Sequence, residues 1–217
     1  MKRFDLIVFD WDGTLMDSTG VITDSIQCAC RELGTQVPDV NVARYVIGLG
    51  LHEAMRHVAP DFPQHRFAEL VDCYRKYYVQ RAEDLYLFEG VLPMLTELKH
   101  SQYFLAVATG KSRRGLQHAL SLGGLHDYFH ATRCADESQS KPHPAMLLEL
   151  CDELNISRER TLMIGDTTHD LQMAVNAGVA ALAVSYGAHS EKELQALKPL
   201  AIVDSAHALH QWLLKHA

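Results

Sequence analysis

No stretch of this chain approaches the ~18 consecutive apolar residues of a membrane-spanning helix, so no membrane association is expected. Met1-Lys2-Arg3 leads into only a short apolar run, Phe4 to Phe9, with no small-residue cleavage site behind it. That pattern is too brief for a secretory signal, and a cytoplasmic location is the expectation. The five cysteines, Cys28, Cys30, Cys73, Cys134 and Cys151, form no C-x-x-C pair. A disulfide framework or thiolate metal site is therefore not expected, and free thiols are. Positive charge is also short: the net charge is −7, which argues against a nucleic-acid binder. Internal repeats, low-complexity segments and long linkers are absent too.

What remains has the composition of an ordinary globular protein, 47% hydrophobic and 22% charged over 217 residues. Leu6-Ile7-Val8-Phe9 reads as a short buried strand. Similar runs recur at Phe104–Ala108, Thr161–Ile164, Val179–Val184 and Ala201–Val203. Helical patterns lie between them, at Lys111–Leu122, Pro144–Leu154, Leu171–Ala177 and Ser205–Leu214. Strands alternating with helices imply a Rossmann-like α/β core, a parallel sheet with helices on both faces.

About 90 residues separate the first two strands, far more than one crossover helix requires. Val21, Ile22, Ile26, Ala29 and Leu33 fall at helical spacing ahead of Gly34, and Phe67, Leu70, Val71, Tyr74, Tyr77 and Tyr78 form a second stripe. Shorter helices are expected at Val42–Ile47 and Leu51–Val58. Residues 16–84 are thus expected to form a helical cap, with 1–15 and 85–217 as the core domain.

The chemistry-bearing residues follow the strands. Asp10-Trp11-Asp12-Gly13-Thr14-Leu15 leaves the first strand, and ligands of open α/β sheets bind beyond such carboxyl ends. Spacing of i, i+2 lets both carboxylates face one pocket while Trp11 turns away. Thr109-Gly110 ends the second apolar run and offers a hydroxyl and backbone N–H groups to phosphate oxygens, or a helix N-cap. Lys141 stands in a stiff Lys-Pro-His-Pro loop, where it can neutralise a phosphate or an attacking carboxylate. Gly165-Asp166-Thr-Thr-His-Asp170 ends a further strand. Oxygen ligands from Asp10 and Asp166 suit Mg²⁺, while Asp170 reads either as a metal-side group or as a helix-start acid.

These four segments, in this order, resemble the motifs of the haloacid dehalogenase superfamily, and within it the phosphoglycolate-phosphatase-like hydrolases. The resemblance spans the chain, including a helical insertion after the first motif. It implies Asp10 as nucleophile in an aspartyl-phosphate mechanism and Asp12 as general acid and base. It further implies Thr109, Gly110 and Lys141 as phosphate ligands, and Mg²⁺ held by Asp10, the Asp12 backbone carbonyl and Asp166. Dehalogenases of this type lack the acid at the Asp12 position, so its presence points to phosphoryl chemistry on a small phosphorylated metabolite. A phosphomutase of the same fold would use the same residues, and a non-catalytic ligand-binding regulator is the rival from another class. Gly48-Leu49-Gly50-Leu51 resembles the substrate-facing cap loop, or equally a pair of ordinary helix-ending glycines, and Arg44 and Arg56 flank it either as ligands for a substrate carboxylate or as solvated surface residues. Lys76, the lone cap lysine, lies in a tyrosine-rich stretch and gives little support to Schiff-base chemistry. The sequence sets neither the individual substrate nor the oligomeric state.

Overall fold

A computed structural model of the chain describes residues 2–81 and 84–217. Its strands are β1 (Leu6–Phe9), β2 (Met16–Asp17), β3 (Tyr86–Leu87), β4 (Phe104–Thr109), β5 (Ala131–Cys134), β6 (Thr161–Gly165), β7 (Ala180–Val184) and β8 (Ile202–Val203). The helices are α1 (Thr19–Glu32), α2 (Val40–Tyr45), α3 (Leu51–Val58), α4 (Phe67–Gln80) and α5 (Val91–His100). They continue with α6 (Arg113–Gly123), α7 (Ala145–Leu154), α8 (Thr168–Ala177), α9 (Glu191–Ala196) and α10 (Ala206–His216).

Every residue of β1 is buried, as a strand covered on both faces requires. It sits at the centre of a six-stranded parallel sheet ordered β5-β4-β1-β6-β7-β8. Alternate side chains supply two separate cores. Ile7, Phe9, Val107 and Ile164 pack with α5, α6 and α10, while Leu6, Val8, Ala106 and Met163 pack with α7 and α8. Leu6 lies beside Phe104 on one side and Thr161 on the other, so β1, β4 and β6 start level and Asp10, Thr109 and Asp166 come off neighbouring strand ends. That register brings three widely separated sequence segments to one edge of the sheet.

The helical insertion has its own core. Ile22, Ile26 and Ala29 of α1 meet Leu70 and Val71 of α4, with Ala43 and Met55 filling from α2 and α3. Fully burying one such aliphatic side chain contributes roughly 1.5–3 kcal/mol. Gly34 closes the first helix region with a φ of +67°, a conformation that glycine adopts without a Cβ penalty. The chain enters the insertion through β2 and leaves it through β3, and these two pair antiparallel, Met16 with Leu87 and Asp17 with Tyr86.

The expected strands and helices recur with ends shifted by a few residues. Five elements lie outside the sequence reading. β5 carries Thr132 and Arg133 at its centre, so it lacks the apolar signature of a buried strand. β2 and β3 are two residues each, too short for any periodicity. α5 contains Pro93, which reads as a breaker but sits in the first turn, where the missing N–H would have had no intrahelical partner. α9 is a six-residue helix announced only by its Ser190–Glu193 capping box.

Candidate active site

Asp10 follows the last residue of β1, and its backbone N–H continues the ladder to Ile164 O at 2.9 Å. Its carboxylate is buried. Oδ1 accepts from Lys141 Nζ at 2.6 Å, while Oδ2 has no hydrogen-bond partner. Trp11 turns away into the sheet core, edge-on to Phe129 at 6.3 Å, and so packs behind the loop rather than lining the pocket. Gly13 has a φ of +81°, and a Cβ there would lie 2.2 Å from Asp166 Oδ2. Only glycine lets this turn approach the second acid so closely. Asp12 Oδ1 accepts from Ser18 Oγ at 2.6 Å and pairs with Lys111 Nζ at 2.9 Å.

The tip of β4 delivers Thr109, whose Oγ1 accepts from the Lys111 backbone N–H at 3.2 Å. The N-cap of α6 is Ser112, not Thr109, since Ser112 Oγ accepts from Gly115 N. At the tip of β6, Asp166 Oδ1 accepts from Thr14 Oγ1 at 2.9 Å and Oδ2 from Ala188 N at 2.7 Å. Asp170 is the helix-start acid of one sequence reading, with its second oxygen on Lys141. Its Oδ2 closes a capping box with Thr167 at the start of α8, and its Oδ1 lies 2.6 Å from Lys141 Nζ.

Carboxylate oxygens of Asp10, Asp166 and Asp170 all lie within 4.8 Å of one another, and all three residues are buried. Burial, reinforced by the neighbouring Asp170 and Asp166 and opposed by Lys141, holds the Asp10 carboxyl well above its usual range. Burial and Asp170 push Asp166 up to about 7, against the Ala188 and Thr14 hydrogen bonds. Burial works against charge on Lys141, but Asp10 and Asp170 outweigh it and keep the ammonium charged to higher pH than usual. With all three carboxyls ionised, they and the one ammonium leave a buried balance of −2. One divalent cation would neutralise it, and the all-oxygen donor set fits a hard cation. Asp12 stands outside this carboxylate cluster. Its side chain faces the adjoining cavity instead.

That cavity, about 440 Å³, opens between the strand tips and the insertion, and Asp12, Gly110 and Lys111 face cap residues Tyr74 and Tyr78 across it. The Gly48–Leu51 segment lines it as expected. Gly110 is pressed so tightly under this loop that a Cβ would sit 2.4 Å from Leu49 O. The two cap arginines do not serve as expected. Arg44 Nη2 donates to Gly187 O at 2.5 Å and Nε to Ala188 O at 3.3 Å, while the Arg56 guanidinium lies over the Phe67 ring at 5.6 Å. Arg44 is thus turned to backbone carbonyls, and neither arginine lines the cavity. Lys76 pairs with Glu32 on the cap surface, away from the cavity. Lys111 was not among the sequence candidates, although its place directly after Thr109-Gly110 is a usable signal.

Acids gathered at the tips of parallel strands beneath a helical insertion define an α/β protein with a cation-ready site. The description "haloacid dehalogenase-like hydrolase" matches residues 7–184. The chain belongs to that family, as a hydrolase of the phosphatase type. It is 37% identical to the probable phosphatase IndB of Dickeya dadantii, over 94% of each chain. It is 29% identical to a phosphoglycolate phosphatase of Psychrobacter arcticus, over 97% of this chain and 96% of the other. Among solved structures, a predicted phosphatase from Clostridium acetobutylicum superposes with a TM-score of 0.86 at 27% identity, covering 99% of this chain and all of that one. No helix among the described residues is long and apolar enough to cross a membrane.

Proposed function

We propose that this chain is a Mg²⁺-dependent phosphatase that hydrolyses a small phosphate monoester through an aspartyl-phosphate on Asp10. The observation that carries the reading is the buried Asp10 Oδ2, which has no partner while its twin oxygen is fixed by Lys141. A buried carboxylate oxygen without a partner is costly unless something binds there. In this reading Asp10 Oδ2 attacks phosphorus and the P–O bond to the alcohol breaks, with Asp12 giving its proton to the departing oxygen. Asp12 then takes a proton from water, whose oxygen attacks the phosphorus and releases inorganic phosphate from Asp10.

Thr109, Gly110 and Lys141 would hold the phosphoryl oxygens, each standing at a strand tip or loop beside Asp10. Asp10, Asp166 and Asp170 with the Asp12 backbone carbonyl would hold Mg²⁺, which when bound supplies positive charge to offset the phosphoryl oxygens. Residues 16–84 would act as the cap that excludes water, over a catalytic unit of residues 1–15 and 85–217; of these, 1, 82 and 83 lie outside the described residues. A phosphatase-named relative over nearly the full length supports a phosphorylated metabolite as substrate.

The test is hydrolysis of p-nitrophenyl phosphate by wild type and Asp10→Asn. Activity should depend on Mg²⁺, vanish with EDTA and fall by several orders of magnitude in the variant. Equal rates in the two proteins would overturn the reading.

A further inference from the structure

The cavity wall holds a cation that the proposed phosphoryl chemistry does not use. Lys111 follows Gly110 at the end of β4, and its side chain is only 10% exposed. An ammonium has three N–H donors. One points to Asp12 Oδ1 at 2.9 Å and one to Tyr78 Oη at 2.9 Å. Among the described residues no third acceptor meets it, and Nζ also lies 4.9 Å from the centre of the Tyr78 ring.

Burying a lysine against one carboxylate is at best neutral for stability, because desolvation offsets the Coulomb attraction. Its retention beside a cavity therefore calls for a use. Lys141 keeps one N–H by the same count, but it is fully buried beneath Asp10 and belongs with the transferring phosphoryl group. Arg75 is the other cavity cation of note, and it sits at the rim, half exposed and paired with Asp72. Lys111 is thus the cation placed against the part of a substrate that departs.

We propose that Lys111 recognises a second anionic group, a carboxylate or another phosphate, on the alcohol portion of the substrate. This rests on the phosphatase reading above and narrows it. Asp12 must reach the ester oxygen, and Lys111 Nζ stands one hydrogen-bond length from Asp12. Lys111 Nζ then lies within two hydrogen-bond lengths of the ester oxygen, ~5–6 Å, and an anion bound to it within three, a reach that the far end of a short substituted alcohol can meet. Tyr78 from α4 holds the ammonium from the cap side, so the recognition point forms only where cap and sheet meet. The role that the sequence suggested for Arg44 or Arg56 falls to a residue of the sheet domain.

The experiment compares kcat/KM on matched substrates that differ in one anionic group: phosphoglycolate against 2-hydroxyethyl phosphate, whose alcohol portion is uncharged, and a bisphosphate against its monophosphate. Wild type should favour the anionic member about 10- to 100-fold, the range expected of a charge-assisted hydrogen bond. Lys111→Met should bring that ratio to about 1, chiefly through KM, whatever happens to the absolute rates. Lys111→Arg should restore most of it, and Tyr78→Phe, which leaves the ammonium in place, should keep it. Preference confined to carboxylates or to phosphates supports the proposal and names the anion. A wild type that hydrolyses both members equally overturns the proposal and leaves the phosphatase reading standing, as does a ratio unchanged in Lys111→Met. Failure to hydrolyse any monoester sinks the underlying reading and this proposal with it.

Discussion

Ala188 donates its backbone N–H to Asp166 Oδ2 at 2.7 Å, and the peptide carbonyls on either side of that N–H, those of Gly187 and Ala188, are gripped by Arg44 from the cap. The acid at the tip of β6 is thereby oriented through two backbone units by a helix of the insertion. Partners of metal ligands typically matter 10- to 100-fold to affinity. Arg44→Met should weaken Mg²⁺ binding about 10-fold by calorimetry in the absence of substrate, and Arg56→Met should leave it unchanged. Equal affinity in all three proteins would show that the cap contact does not reach Asp166.

Gly110 offers a steric test of the cap loop. A methyl group there would stand 2.4 Å from Leu49 O and 2.6 Å from Gly48 O, both backbone atoms that cannot swing aside. Gly110→Ala should push the Gly48–Leu51 segment off the strand tips and lower kcat/KM at least about 10-fold. The sheet core is untouched, so the melting temperature should move by only a few degrees. Unchanged kinetics would mean that the loop does not rest on Gly110 during turnover.

Lys141 bears on stability as well as on chemistry. Removing one partner of a buried ion pair typically costs about 3–5 kcal/mol, because the remaining charge is left uncompensated. Lys141→Met should therefore unfold more readily in urea than wild type by about that amount when no metal is added. Mg²⁺ should stabilise the variant more than it stabilises wild type, since the cation would then be the sole compensation for the Asp10, Asp166 and Asp170 cluster. Identical stability curves would remove the charge-balance argument.

The thiols give a simple check on the packing. Cys30, Cys73, Cys134 and Cys151 are buried, and Cys28 alone is half-buried. Burial pushes the Cys134 thiol up to about 12 and raises those of Cys30, Cys73 and Cys151. A thiolate reagent at pH 8 should modify one cysteine quickly in the native protein and all five only after denaturation. Rapid loss of two or more would show a looser core.

Much of this was legible because the sheet announces itself in apolar runs and the acids stand directly after them. Leu6–Phe9 could be bounded from sequence to the residue, since a four-residue apolar run followed by Asp leaves little freedom. Asp10 and Asp166 could be paired because both follow central strands, and parallel strands of one register bring their tips together. Lys111 could not be singled out in the same way, since its use depends on Tyr78 arriving from a helix 33 residues earlier in the chain. Arg44 misled for a related reason: a cationic side chain beside a glycine loop reads the same whether it awaits a ligand or caps two carbonyls. Asp170 left two readings open because a carboxylate has two oxygens: one caps α8, and the other turns to Lys141, a partner the sequence did not pair with it.

The pairing of β2 with β3 bears on how substrate enters. Both covalent links between the helical lobe and the sheet run side by side as a short two-ply strap, tightened further by Phe88 N–H on Leu15 O at 3.1 Å. Such a strap bends readily across its width and resists twisting along its length. Any opening of the lobe would bend across that strap and part Tyr78 from Lys111 and Arg44 from Gly187 together.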